Sequence, residues 1–204
     1  MDKVKIIDLT MPLDEKTPAY VGDPQIEIKQ IALLKKNGWN EKRINSNTHC
    51  GTHIDAPSHM LEGKNLDQLQ LELFYGEGIV IDVRRRNIDE QCIPNQKLKD
   101  KIVLFLTGQS DKRYDNYYQS AKFIPTEVAL KLAKEKVKAV GIDSFSPDEE
   151  PYPVHKILLP QNILIIENLI DLKLLLQKKF IIHYFPLRIT KGDGAPCRAI
   201  AFVK

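Results

Sequence analysis

Residues 47–59, N-T-H-C-G-T-H-I-D-A-P-S-H, hold three of the chain's five histidines and one aspartate. Imidazole nitrogen and carboxylate oxygen together form a donor set for zinc, manganese, iron and related ions. Four such groups, His49, His53, Asp55 and His59, leave room for a second ion, because a carboxylate can bridge two metals. Two metals can hold a hydroxide between them and so present a nucleophile near neutral pH. The spacing sets a constraint. All four positions are odd, so an extended strand would point the side chains the same way. It would also separate His49 from His59 by about 33 Å at roughly 3.3 Å per residue. Ligands sit about 2.0–2.2 Å from a metal, so the chain must fold tightly here. Gly51 and Pro57 permit turns, and a helical turn would bring His49 and His53 together. A lone histidine beside an apolar run is usually a hydrogen-bonded structural residue. The pattern H-x3-H-x-D-x3-H points instead to metal binding or catalysis.

A second segment, GIDSFSPDEEPYPVHKILLPQNILIIENL at 141–169, adds His155 after a proline-rich loop and Glu167 inside an apolar run. A carboxylate in such a run is costly to bury unless it is paired or bound to a cation. Taken alone, Glu167 could equally end a strand in solvent or pair with a lysine, and His155 alone reads as a surface-loop histidine.

Together these segments resemble a known family. HCGTHIDAPSH is similar to the H-x-G-T-H-x-D-x-P-x-H signature of the cyclase family of metal-dependent hydrolases, which includes bacterial kynurenine formamidases and isatin hydrolases. DLTMPLDEKTPAYVGDP resembles the family's opening, GIDSFSPD and PVHKILL with IIENL its second metal segment, and GDGAPCRAIA its close. By position, the resemblance implies that His49 and His53 bind one metal and that Asp55 bridges two. It places His155 and Glu167 on the second metal and makes His59 the general acid/base, a role suited to an imidazole. Two divalent ions are implied, zinc first and manganese second, with a homodimer or higher homo-oligomer and a swivelling β/β/α fold. Kynurenine formamidases carry a tryptophan in the opening segment, where an aromatic substrate stacks. Tyr20 stands there in this chain, and it can stack and donate a hydrogen bond. The activity implied is arylformamidase, with a cyclic amide or lactone hydrolase as the alternative. A non-catalytic small-molecule or metal-binding protein on the same fold is the rival outside the enzymes.

Other residues have simpler readings. His183 in FIIHYF is a core or strand-edge histidine, and Cys50 is a small packing residue. Asp143, Ser146 and Asp148 shape the loop that carries His155 through Asp/Ser turn chemistry. Gly192, Gly194 and Pro196 read as a turn before the last strand. No Walker-type or G-x-G-x-x-G loop is present, so no nucleotide cofactor is expected.

Positioning these groups falls to a strand-rich scaffold. Apolar runs at 4–9, 26–34, 78–83, 102–108, 139–143, 163–169, 180–185 and 199–203 read as strands. One long helix is expected in PTEVALKLAKEKVK, with Thr126 as N-cap. Ala129, Leu130, Ala133 and Val137 would share one face, and Lys131, Lys134, Glu135 and Lys138 the opposite one. Shorter helices are expected at 67–74 and 169–177. Several strands precede the long helix, so the reading is a single mixed α/β domain over 1–204 with a largely β core. The 204 residues suffice for one core, and 30 Lys+Arg against 27 Asp+Glu give a net charge of +3. Scattered basic residues without an aromatic-interleaved stripe argue against a nucleic-acid partner. ILIIENLIDLKLLL is broken by Glu167, Asp171 and Lys173, which argues against a membrane span. The opening lacks the apolar core of a signal peptide, and three cysteines share no CxxC spacing. A cytoplasmic enzyme acting on a small molecule is the expectation.

Overall fold

Most of the apolar runs become strands of one sheet, and one of them does not. The computed structural model describes residues 4–203. The strands are β1 (Lys5–Asp8), β2 (Glu27–Ala32), β3 (Glu41–Asn45), β4 (His53–Asp55), β5 (Tyr75–Asp82), β6 (Ile102–Leu106), β7 (Ala139–Ile142), β8 (Leu164–Glu167), β9 (Phe180–His183), β10 (Gly194–Pro196) and β11 (Ile200–Val203). The α-helices are α1 (Leu34–Asn37), α2 (Thr126–Lys134) and α3 (Pro153–Leu158).

Nine strands form one mixed sheet in the order β1-β11-β9-β5-β6-β7-β8-β4-β10. Its centre, β5 to β8, is parallel, and the remaining pairs are antiparallel. Parallel strands need both faces covered, which is why β6, IVLFL, is buried at every position. On one face Val103, Phe105, Val140 and Ile165 pack with Val128 and Leu132 of α2 and with Val154 and Leu158 of α3. On the other, Ile54, Leu104, Ile166, Ile182, Tyr184 and Ala201 form a second core. An isolated bridge between Thr10 and Leu169 joins the chain beyond β1 to the chain beyond β8, so the sheet curls around that second core.

Several sequence expectations change. The run at 26–34 leaves the main sheet and, among the described residues, pairs only with β3 in a separate hairpin. Every residue of β3 is exposed, and so are Ile31, Leu33, Leu34 and Trp39. Helix α2 starts at Thr126 with Pro125 in the capping position, so Thr126 is not the N-cap. The buried stripe is Val128, Ala129, Leu132 and Ala133, and Leu130 turns to solvent. The helices expected at 67–74 and 169–177 are short 3-10 turns, Leu66–Gln68, Leu71–Phe74 and Leu172–Leu175. Gly194 and Pro196 belong to a strand; the turn ends at Gly192, whose N–H donates to the Ile189 carbonyl. Among the described residues no helix is long and apolar enough to cross a membrane.

Candidate metal centre

Strand pairing brings the signature residues together. Gly51 takes a left-handed backbone (φ +61°), which reverses the chain between His49 and His53. The next residues extend into β4, so His53 and Asp55 project from one face. Pro57 then opens a 3-10 turn that ends at His59. Strand β4 lies between β8 and β10, in a register that sets His53 opposite Glu167 and Asp55 opposite Gly194. His155 comes from the first turn of α3. The backbone N–H groups of Val154 and His155 donate there to Asp148 Oδ2, at 2.6 and 3.2 Å.

Asp55 is the hub. Its Oδ1 lies 2.8 Å from His49 Nδ1 and 3.4 Å from His53 Nε2, and its Oδ2 lies 3.5 Å from His155 Nε2. Glu167 makes the parallel link, with Oε2 3.3 Å from His53 Nε2 and Oε1 3.6 Å from His155 Nε2. Each of the three imidazoles is held by its other nitrogen. His53 Nδ1 meets the Gly51 carbonyl at 2.9 Å, His155 Nδ1 meets Asp148 Oδ1 at 2.6 Å, and His49 Nε2 meets Asp193 Oδ2 at 3.0 Å. Such partners fix ring direction, so that the opposite nitrogen faces Asp55 and Glu167 and becomes a lone-pair donor once its proton leaves. His59 differs. Its closest carboxylate is Asp193, 3.6 Å from Nδ1, and its ring centroid lies 4.0 Å from that of His49.

The charges follow. Burial disfavours the His53 imidazolium, but Asp55 and Glu167 outweigh it and push the pKa up to about 10. Burial likewise opposes charge on His155 and His49. Asp148, Asp55 and Glu167 raise His155 well above its ordinary value, and Asp55 raises His49. Burial pushes the Asp55 carboxyl up, and its imidazole partners overcome this to hold it well below the usual range. His59 moves the other way: burial and the neighbouring His49 and His155 lower it, against a smaller pull from Asp55.

The residues fit a divalent cation. Asp55 Oδ2 is buried and makes no hydrogen bond among the described residues, an arrangement that costs free energy unless a cation takes the lone pair. His53, Asp55 and Glu167 converge with ligand atoms within 4.8 Å of one another, as do His49, Asp55 and His59. The protons that the carboxylates keep on these imidazoles are the ones a bound ion displaces. Gly194 makes space for His49: a Cβ there would stand 2.5 Å from His49 Cε1.

The cluster forms the floor of a cavity of about 320 Å³. Tyr20, Tyr118, Phe145 and Tyr152 also line it. Tyr20 Oη lies 3.4 Å from Tyr152 Oη, and Phe145 packs on Tyr118 with centroids 4.9 Å apart. All seven residues singled out from the sequence, His49, His53, Asp55, His59, His155, Glu167 and Tyr20, meet here. Two of the site's carboxylates have more to do than the sequence indicated. Asp148 caps α3 and also orients His155, and Asp193, flanked by two glycines, reaches His49. Asp143 is a structural clasp, accepting from the Thr107 and Gly108 N–H groups. His183 lies outside the cluster, stacked on Tyr75 at 5.5 Å. Cys50 is buried, and burial pushes its thiol pKa up.

Residues 7–149 match the family model described as "Putative cyclase". Kynurenine formamidase of Erythrobacter litoralis is 30% identical over 203 residues, spanning 96% of this chain and 93% of that protein. The Bacillus cytotoxicus kynurenine formamidase is 28% identical over 200 residues, 95% of each chain. Isatin hydrolase A from Labrenzia aggregata, solved with benzyl benzoate, shares the curled α/β architecture. Its TM-score is 0.89 at 26% identity, over 98% of this chain and 94% of that one. With the family model covering more than half its length and relatives aligned from end to end, the chain belongs to the cyclase family.

Proposed function

We propose that the protein is a metal-dependent hydrolase of a small aromatic amide, an arylformamidase acting on N-formylkynurenine-type substrates in tryptophan breakdown. One observation carries the reading: four imidazoles and two buried carboxylates converge on the floor of a small cavity with an aromatic wall. Its volume is at the low end for small-molecule sites. Kynurenine formamidase relatives aligned over nearly the whole chain support the amide class.

His49, His53 and Asp55 would hold one ion, and Asp55, His155 and Glu167 a second. Zinc is the expected ion and manganese the alternative, because imidazole with carboxylate suits both. Such ions supply a water of lowered pKa and a Lewis acid for the amide carbonyl. His59, at the cavity wall and with its pKa lowered, is uncharged near neutrality and can take a proton from the attacking water. It then returns that proton to the departing nitrogen. Tyr20 and Phe145 would pack on the substrate ring.

The second reading, a cyclic amide or lactone hydrolase, is favoured by the likeness to isatin hydrolase A. A non-catalytic binding protein would not need His59 beside a complete donor set. We read the chain as one domain over 1–204 working in the cytoplasm, where three free thiols fit a reducing environment. A homodimer or higher homo-oligomer would cover the exposed hairpin residues Ile31, Trp39 and Ile44. The test is metal content of the purified protein, then hydrolysis of N-formylkynurenine and isatin by the same sample. Turnover of the first selects arylformamidase, and turnover of the second alone selects the cyclic amide. Protein that takes up neither zinc nor manganese on reconstitution would overturn the reading.

A further inference from the structure

We propose that Asp193 is a positioning residue whose single oxygen, Oδ2, orders two imidazoles at once, His49 beside the metal and His59 in the cavity wall. The inference rests on the roles proposed above for those two histidines.

The backbone fixes this carboxylate before any ligand arrives. Strand β10 sets Gly194 opposite Asp55, and the Ala56 N–H donates to the Asp193 carbonyl at 2.8 Å. On the other side, the Leu66 N–H donates to the Gly192 carbonyl at 2.9 Å. Thr48 Oγ1 donates to Asp193 Oδ1 at 3.1 Å, which leaves Oδ2 facing the histidines. That oxygen lies 3.0 Å from His49 Nε2 and 3.6 Å from His59 Nδ1, with the two rings 4.0 Å apart. Asp193 stands behind both rings, and the cavity is lined by the rings themselves.

The chemistry follows from where the ring protons must sit. A neutral imidazole has one N–H and one lone pair. With Nε2–H of His49 directed at Asp193, the lone pair stays on Nδ1, 2.8 Å from Asp55 Oδ1 and on the metal side. His59 Nδ1 stands 3.6 Å from the same oxygen, at ion-pair rather than hydrogen-bond distance. The negative charge there favours the proton on Nδ1, which leaves Nε2 the lone pair that accepts a proton in the cavity. Without the carboxylate, either ring can flip or take the other tautomer, and the two no longer face the metal side and the cavity together.

Asp193→Asn keeps the shape and removes the acceptor charge. Zinc affinity would be measured by chelator competition, and the ring tautomers by nitrogen-15 imidazole spectra of the zinc-loaded protein. With a turned-over amide, kcat and KM would be measured in native and His59→Ala backgrounds. Zinc should bind about 10–100-fold more weakly, and kcat should fall by a similar factor while KM moves far less. The His49 and His59 ring signals should both change, and once His59 is alanine Asp193→Asn should cost less kcat than in the native background, the remainder coming through His49. Thr48→Val, which frees Oδ1, should move the same readouts in the same direction by less. Zinc affinity within about twofold of native, together with unmoved ring signals, would overturn the proposal. If the native protein hydrolyses no amide, the functional reading fails, while the zinc and spectral readouts still decide Asp193.

Discussion

His53 on β4 and Glu167 on β8 are opposite partners in an antiparallel register, and Nε2 and Oε2 stand 3.3 Å apart in the buried floor of the cavity. A cross-strand pair of this kind is set by the sheet, so it persists when one side chain loses its charge. Glu167→Gln should therefore fold and keep its melting temperature to within a few degrees. Its zinc affinity should fall by more than the roughly 100-fold seen when outer-shell partners are changed. Metal content after dialysis against chelator checks this, and a variant that retains the native stoichiometry would remove Glu167 from the donor set.

His59 has no such partner in the sheet. His59→Ala should keep native metal content and lower kcat by roughly 100- to 10,000-fold, the range of general acid–base catalysis. Loss of metal in this variant would instead make His59 a ligand, in line with its place in the His49–Asp55–His59 group.

The signature residues were legible because the ligand types are rare in the chain and closely spaced. His155 and Glu167 gained meaning only beside them. Strands β6, β7 and β8 were legible as continuous apolar runs because a parallel sheet buries both faces. The run at 26–34 instead interleaves its apolar residues with Glu27, Lys29 and Gln30. Among the described residues it pairs only with β3, and it is mostly exposed, with Ile26 and Ala32 buried. Strand periodicity records an extended backbone, not which sheet the strand joins. Asp148 and Asp193 could not be read as histidine partners either. An aspartate in a loop has one local signature whether it caps a helix, shapes a turn or faces an imidazole. Which of these it does depends on pairing between segments distant in sequence, such as β10 against β4.

Acid should strip the metal. The His53 pKa stands near 10, above the ordinary imidazole value, so below that pH an incoming ion must displace a proton. Zinc affinity should rise with pH by about one log unit per pH unit for each proton released, flattening above about pH 10. The same raised pKa has a consequence for the metal-free protein. The stabilisation it confers is complete below the unfolded-state pKa of about 6.5 and is lost as pH rises through about 10. Metal-free protein should lose melting temperature towards alkaline pH more steeply than the zinc form. Parallel slopes would mean that His53 is neutral in the free protein.

Tyr20 tests the substrate class. Its ring lies 6.1 Å from Phe145 across the aromatic wall. Tyr20→Ala should raise KM for an aryl amide about 2- to 12-fold with kcat nearly unchanged, since stacking contributes roughly 0.5–1.5 kcal/mol. Tyr20→Trp should restore or lower KM. An unchanged KM in the alanine variant would place the substrate ring elsewhere.

Gly194 links packing to metal binding. A methyl group there would stand 2.5 Å from His49 Cε1 and 2.9 Å from Nε2. That is closer than atoms tolerate, and Asp55 and Asp193 clamp the ring from both sides. In Gly194→Ala, His49 must swing away from its carboxylates. Gly141, buried in β7, provides the comparison, because its added methyl would meet Leu104 Cδ2 at 2.5 Å and Leu169 Cδ1 at 2.8 Å. Overpacking of this kind costs about 1–3 kcal/mol at either position. Both variants should therefore lose several degrees in melting temperature. Zinc affinity should drop only in Gly194→Ala, because Gly141→Ala crowds leucines and leaves the donor atoms in place. Equal loss of zinc in the two would mean that metal binding reports overall stability; a loss confined to Gly194→Ala ties it to the direction of the His49 ring.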